Sequence, residues 1–161
     1  MNNLQRLIGL FRAAGARDPE SWAKSELNEN IPQLARFLFL RGAWRSVVPE
    51  GDNDWIEAYR KPAKDPNGPL AGISRALNCL LAHGIDPSDL TEVVRVMQYE
   101  VLFSLCYLLD DPHPAIEGLE NALPELSSIG WGLFEVDEKG HVGRPISGLH
   151  ESVLETDPSG R

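Results

Sequence analysis

The sequence predicts a mainly α-helical protein, a compact multi-helix bundle around a central buried helix at about residues 87–109, with a small C-terminal β-hairpin at about 131–146. Apolar residues recur at spacings of three and four over most of the chain, and helix start and stop signals separate these stretches. A strand-like pattern follows only after Gly130. The 161 residues fit one domain, whose last residues (about 156–161) we expect to be loosely ordered.

Composition restricts the classes of function. The net charge of -9 argues against nucleic-acid binding, which needs clustered Lys and Arg, and suits a protein partner that is more basic. No apolar run approaches the ~18 residues of a membrane helix, and the N-terminal run is too short for a secretory signal peptide. Cys79 and Cys106 form no CxxC pair and no disulfide framework. We therefore expect a cytoplasmic protein that does not bind membranes.

Start and stop signals place the first three helices. Apolar spacing predicts a helix at residues 2–14 that ends at Gly15. Asp18 caps the second helix, with Pro19 at its first position, and Asn30 caps the third.

A short acidic helix follows. Asp54 and Glu57 match a capping box, in which each side chain bonds the other residue's free backbone N–H. This helix is expected to turn Trp55, Ile56 and Tyr59 inward.

The sharpest local prediction is a helix–turn–helix corner. Gly84 supplies the left-handed backbone that ends one helix, with Ile85 next to it in reach of Leu80. Asp86 caps the next helix, and Pro87 takes its first position.

The helix that begins at Pro87 is the predicted centre of the fold. Its C-terminal half is apolar on nearly every side, which is typical of a buried helix. Replacing Leu105 by Ala is therefore expected to cost a few kcal/mol. The repeating apolar residues are Leu90, Val94, Met97, Val101, Leu105 and Leu108, with a second strip of Val93, Val96, Phe103 and Tyr107.

The C-terminal part is predicted to contain a shorter helix and then the hairpin. Ile116, Leu119 and Leu123 mark the helix. The hairpin consists of strands at about 131–136 and 141–146, joined by a turn with Gly140 at its positive-φ position.

Two groups of acidic residues are candidates for chemistry. Asp110 and Asp111, beside His113, lie at a helix C-terminus, where a carboxylate opposes the helix dipole and can indicate a metal or cation site. The alternative is that Asp111 caps the next helix or faces solvent. Glu100 lies on the second apolar strip, where burial would raise its pKa and suit it to general acid catalysis. The alternative is pairing with an arginine.

Recognisable catalytic and metal motifs are absent from the sequence. The four histidines have no HExxH or HxH spacing, and there is no P-loop, GxGxxG or GxSxG sequence. The sequence therefore predicts no metal and no cofactor.

An acidic turn beside an aromatic residue suggests a contact surface for a basic protein. Asp52, Asp54, Trp55 and Tyr59 are the candidate partner-binding residues, since aromatic side chains are frequent at interface hot spots. Core packing of Trp55 is the alternative.

Three functions remain open at the level of the sequence. The first is a non-enzymatic protein-binding module, an immunity- or inhibitor-type partner of a more basic protein. In its small size, acidity and helical content the chain resembles immunity proteins that bind and block toxins, and no residue motif carries this resemblance. The second is a small enzyme or ligand-binding protein with a site between helices around Glu100, Tyr107, Asp110 and His113. The third is a structural homo-oligomer.

Overall fold

The protein is mainly helical with a small antiparallel hairpin, as predicted. The structure is a computed structural model that describes residues 2–68, 70–115, 117–118 and 128–160. The predicted shorter helix lies largely outside the described residues. The chain forms two compact units: unit 1 comprises Met1–Arg45 and Val101–Arg161, and unit 2 comprises Ser46–Glu100. The elements are α1 Asn3–Ala14, α2 Pro19–Glu29, α3 Gln33–Ala43, α4 Asp54–Arg60, α5 Ile73–Ala82, α6 Pro87–Asp110, β1 Leu133–Val136, β2 Val142–Ile146 and α7 Leu149–Ser152.

Capping residues set the ends of α1 and α2. The Asn2 side chain accepts a hydrogen bond from the Gln5 N–H at 2.8 Å, and Gly15 ends α1 with a φ of 89°. Asp18 accepts from the Ser21 N–H at 3.0 Å, with Pro19 at the first helical position. The stop predicted for α1 at Gly15 and the start predicted for α2 at Asp18 and Pro19 are confirmed.

The start of α3 differs from the prediction. Asn30 ends α2 in the left-handed conformation (φ 56°), and α3 starts after Pro32 without a cap from its own N-cap side chain. Instead, Glu26 on α2 accepts a hydrogen bond from the Leu34 N–H at 2.8 Å. The Glu26 carboxylate on the neighbouring helix α2 thus caps α3, the role that we predicted for Asn30.

The core of unit 1 is apolar and rich in aromatic side chains. Phe11, Trp22 and Phe37 pack against one another with ring centroids 5.4–6.0 Å apart, and Phe11 is fully buried. Leu149 and Val153 are fully buried as well, and the Trp44 indole N–H donates to the Val153 carbonyl at 2.9 Å.

An ion-paired arginine connects the hairpin to the helices of unit 1. The turn places Gly140 at a φ of 83°, and the strands pair Leu133 with Ile146. Arg144 on β2 bonds both carboxylate oxygens of Glu135 at 2.8 and 2.9 Å and contacts Glu26 at 3.1 Å. Because Glu26 also caps α3, one glutamate connects the hairpin to two helices.

The predicted helix–turn–helix corner is confirmed in unit 2. Ile85 N–H donates to the Leu80 carbonyl at 3.3 Å, and Gly84 N–H donates to the Leu81 carbonyl at 3.0 Å. This is the paired hydrogen bonding of a glycine-terminated helix, and Gly84 has the required φ of 80°. The Asp86 side chain then accepts from the Ser88 N–H at 2.8 Å as α6 begins.

The prediction that this long helix is a buried central helix is wrong, although its bounds of 87–110 agree with those predicted. Val93 and Met97 are each 60% exposed, Val101 57% and Leu105 53%. Apolar residues occupy most sides of α6, so their periodicity could not determine which side faces inward. Leu105→Ala is consequently expected to cost far less than a fully buried leucine would.

Two smaller expectations also differ from the structure. The N-cap of α4 is Asn53, so Asp54 lies inside the helix and the predicted capping box does not form. Of the residues expected to point inward, Ile56 is buried and Tyr59 is 41% exposed. The expected loose order of the last residues stays a prediction; of these residues, Thr156 and Asp157 are buried and residues 158–160 are exposed.

Candidate functional sites: the outer face of α6 and an aspartate–histidine pair

The predicted partner-binding residues in and just before α4 divide between surface and structural roles. Asp52, Asp54 and Tyr59 are exposed. Trp55 is partly buried, and its indole N–H donates to Thr91 Oγ1 at 2.9 Å. Trp55 therefore helps to fix α6 in unit 2.

The most deeply buried side chains of α6 in unit 2 are polar. Thr91 and Arg95 are only 2% and 6% exposed. Thr91 Oγ1 donates to Asn53 Oδ1, and Arg95 Nη1 donates to the Val48 carbonyl at 2.9 Å. Gln98 Oε1 accepts from the Val48 N–H at 2.7 Å, so residues before α4 bond two side chains of α6.

The opposite side of α6 is apolar and exposed. Val93 and Met97 are 60% exposed and Val96 is 46% exposed; these three residues are called the outer face. Val96 and Met97 are neighbours of Val93 on the helix surface because they lie three and four positions after it. On the part of α6 that belongs to unit 1, Val101 and Leu105 continue the spacing of four and are also exposed.

The exposed charges of α6 are negative. Asp89, Glu92 and Glu100 are exposed, whereas Arg95, the one basic residue of the helix, is buried. The outer face therefore lies among acidic side chains. Glu100, which we expected to be partly buried, belongs to this exposed set.

A second candidate site lies in unit 1, where Asp110 meets His150. The Asp110 side chain is 7% exposed, and its Oδ2 contacts His150 Nδ1 at 2.6 Å and accepts the His150 backbone N–H at 3.1 Å. Asp110 Oδ1 is buried and accepts no hydrogen bond from the described residues. The rings of Phe103 and Tyr107 pack nearly perpendicular to the imidazole, with centroids 6.0 and 5.1 Å away.

Phe103 and Tyr107 also line a cavity of about 420 Å³. Its other described lining residues are Ser104, Leu108 and Ala115. The same two aromatic side chains thus contact the aspartate–histidine pair and form a wall of the cavity.

Burial perturbs the ionisation of two nearby groups of unit 1. Arg36 is buried, and desolvation lowers the pKa of its guanidinium, opposed by nearby carboxylates that include Glu151 and Asp110. Burial also raises the pKa of the Cys106 thiol to about 11, with a further contribution from the charge of Asp110. Cys106 therefore stays protonated and unreactive near neutral pH.

The four residues of the predicted ligand site have different surroundings. Asp110 and Tyr107 both contact His150. His113 is exposed, and its backbone N–H donates to Asp111 Oδ1 at 2.9 Å, as expected if Asp111 caps the next turn. Glu100 lies on the segment of α6 that belongs to unit 2.

Sequence reasoning missed His150 and the orientation of α6. His150 is forty positions from Asp110, and no spacing rule connects them. Thr91, Arg95 and Gln98 form a polar stripe at helical spacing in the sequence. Such a stripe ordinarily faces solvent, so it did not indicate that this side of α6 faces inward.

Among the described residues, no group of three or more His, Cys, Asp or Glu side chains is arranged to hold a metal ion. No helix in the described ranges is long and apolar enough to cross a membrane. Comparisons with protein-family models, with curated proteins and with solved structures give no match.

Proposed function

We propose that the protein is a non-enzymatic protein-binding module whose outer face binds an apolar segment of a partner protein. The observation that carries the proposal is the orientation of α6 in unit 2, with Thr91 and Arg95 inside and Val93 and Met97 outside. A helix packed only against its own domain normally buries its apolar side. Contiguous exposed apolar side chains are typical of interaction sites.

Charge supports a basic partner. The outer face is bordered by exposed carboxylates, including Glu100, and the chain carries a net charge of -9. A basic amphipathic helix would place apolar side chains on the outer face and Lys or Arg near these acids. Opposite charge would also speed association and make it sensitive to salt. An immunity- or inhibitor-type role against a basic protein fits this chemistry.

A second copy of the chain fits the same surface less well. Two copies joined through their outer faces would bring acidic side chains of like charge together, and each copy has the same negative net charge. We therefore propose a basic partner. Exposed Asp52, Asp54 and Tyr59 are proposed as a separate contact surface of unit 2, because their neighbours Asn53 and Trp55 bond the inner side of α6 and Trp55 supports the fold.

Model peptides test this chemistry. One helical peptide of about 18 residues combines Leu at helical spacing with Lys, and its counterpart replaces every Lys by Glu. Fluorescence anisotropy should detect binding of the Lys peptide alone, weakened by salt. The double variant Val93→Gln, Met97→Gln should weaken binding about tenfold, since it removes apolar area from the contact.

The control is Val142→Gln, which changes an equally exposed valine (69%) on the hairpin of unit 1. It should bind the Lys peptide as the unmodified protein does. Equal binding of both peptides, or a double variant that binds normally, would contradict the proposal. So would a dimer in sedimentation velocity that the double variant dissociates, because the occupant would then be a second copy.

A further inference from the structure

We infer that a cavity beside the C-terminal end of α1 binds a small free α-amino acid. The cavity has a volume of about 230 Å³ and lies within unit 1, between the end of α1, helix α3 and the segment at residues 155–158. The charged side chains on its wall that recognise the ligand are Arg17, Arg41 and Glu155. Its described lining residues are separate from the outer face, so the inference does not depend on the proposed protein-binding role.

Arg17 is held in place by the C-terminal part of the chain. Its Nη2 donates to the Leu154 and Glu155 carbonyls at 3.4 and 3.0 Å. Gly160 passes close to the same guanidinium, since a Cβ at this position would lie 3.1 Å from Nη1. Arg17 forms no ion pair with the residues that the structure describes, so its charge stays available to a ligand. A guanidinium whose position is already fixed loses little conformational freedom when it binds a carboxylate.

Charges of opposite sign share the cavity without pairing. The side chains of Arg41 and Glu155 are exposed and form no hydrogen bond or ion pair within the described part of the chain. The guanidinium groups and the Glu155 carboxylate are therefore too far apart to bond one another directly. A zwitterion can contact both, because arginine N–H groups bind its carboxylate and Glu155 accepts the N–H groups of its ammonium.

The charge balance of the wall favours a zwitterion over a simple anion. A second carboxylate, that of Asp157, also lines the cavity and is buried. Its Oδ1 accepts hydrogen bonds from the Ser159 backbone N–H and hydroxyl at 2.8 and 2.9 Å, which fixes it in the wall. Two carboxylates thus balance the two arginines, and a ligand with no net charge is complementary to such a surface.

The size and the apolar part of the cavity restrict the side chain of the ligand. The volume is smaller than the roughly 300–1,000 Å³ of sites for drug-sized molecules, so the ligand has few atoms. Phe37, which is only 4% exposed, and Ala14 contribute apolar wall. An amino acid with a short aliphatic side chain therefore matches the cavity in charge, size and polarity.

Three matched probes test the inference: L-valine, 3-methylbutanoate, which lacks the ammonium group, and 2-methylpropylamine, which lacks the carboxylate. We expect L-valine to bind about tenfold more tightly than either, because each of the others loses one charged contact. Protein-observed NMR titration measures the three affinities, with shifts expected at the Gly15 and Asp157 amides beside the cavity. No binding of L-valine, or equal affinity of L-valine and either single-charge probe, would overturn the inference.

Variants of exposed residues locate the site and leave the core intact. Arg41→Gln should weaken L-valine binding about tenfold because it removes one partner of the carboxylate. Its control, Arg45→Gln, changes another exposed arginine, which does not line the cavity, and should bind normally. Equal binding of L-valine by these two variants would contradict the proposed site.

A second pair of variants tests the contact with the ammonium group. Glu155→Gln should weaken the binding of L-valine but not that of 3-methylbutanoate, whereas Glu151→Gln changes an exposed glutamate outside the cavity wall and should weaken neither. Equal L-valine affinity in these two variants would contradict the assigned role of Glu155.

Discussion

Both units bury polar side chains as well as apolar ones, but unit 1 also contains a cluster of packed aromatic rings that includes Phe11 and Phe37, whereas in unit 2 the polar side chains of Thr91 and Arg95 lie on the inner side of α6. The aromatic cluster of unit 1 contributes buried apolar area, which is non-directional. Unit 2 adds a set of hydrogen bonds that fix the rotation of α6 about its own axis.

The hydrogen bonds of unit 2 explain why one side of α6 carries buried polar side chains while the opposite side is apolar and exposed. In unit 2 the polar bonds of Thr91 and Arg95 hold the polar stripe of α6 inward, which leaves Val93 and Met97 outward. A hydrogen bond contributes about 0.5–1.5 kcal/mol net, so the arrangement is stable only if most buried polar groups find partners. The apolar outer face then stays exposed.

The largest expected contrast between the units is in thiol reactivity. Cys106 of unit 1 is 1% exposed, and burial raises the pKa of its thiol from the ordinary value of 9.0 to about 11, which lowers its thiolate population about a hundredfold. Cys79 of unit 2 is exposed. Ellman's reagent should therefore titrate one thiol in the folded protein and two in denaturant. Two rapidly reacting thiols in the folded state would contradict the burial of Cys106.

The next largest effect should come from the aromatic core of unit 1. Phe11→Ala should lower the free energy of unfolding by about 3–5 kcal/mol, because it removes a fully buried ring that packs against Trp22 and Phe37. Urea unfolding followed by tryptophan fluorescence measures it. Leu10→Ala, at a neighbouring residue that is 40% exposed, is the control and should cost much less. Similar losses in the two variants would disprove the assigned core.

An exchange of residue types on α6 tests the polar interior of unit 2. Thr91→Val should lower the free energy of unfolding by about 1–3 kcal/mol, because the Trp55 indole N–H and Asn53 Oδ1 lose their partner. Val93→Thr makes the reverse change on the outer face and should be nearly neutral. The same urea titrations measure both variants. A stabilising Thr91→Val together with a destabilising Val93→Thr would mean that α6 faces the other way.

The smallest effect concerns the hairpin of unit 1. Hydrogen bonds from Arg144 lower the pKa of Glu135 below its ordinary value of 4.5, opposed by partial burial. A lowered carboxyl pKa contributes stability that is present above the unfolded value and is lost as the pH falls through the folded value. The free energy of unfolding should therefore decline below about pH 4.5, by less than about 1 kcal/mol from this pair.

Removing the arginine should remove this pH dependence. Arg144→Gln should flatten the decline in thermal unfolding midpoints below about pH 4.5, whereas Lys139→Gln removes an exposed cation of the same hairpin and should leave it unchanged. Identical pH profiles for the two variants would show that the Arg144–Glu135 pair contributes nothing.

Local sequence signals predicted the parts of the fold that depend on local hydrogen bonds. The corner at Gly84 and Asp86 depends on hydrogen bonds between residues at most five positions apart, so neighbouring residues were enough to predict it. The start of α3 depends on Glu26, eight positions before its partner Leu34, and the local Asn30 signal was misleading.

The orientation of α6 and the aspartate–histidine pair could not be predicted for a different reason. Periodicity identifies the two sides of a helix but not the partners of each side, and the partners of Thr91 come from Asn53 and Trp55, more than thirty positions away. Asp110 was recognised as unfavourably placed at a helix end. Its compensating contact with His150 is tertiary, so only the folded chain reveals it.

The exposure of the Met97 methyl group tests the proposed outer face most directly. Met1 and Met97 are the only methionines, so a protein with ¹³C-labelled methionine methyls gives two signals, and Met97→Leu assigns them. We expect a soluble paramagnetic agent to broaden the Met97 signal in the free protein and the Lys-containing peptide to protect it. A Met97 methyl that is already shielded in the free monomer would contradict the outward orientation of this side of α6.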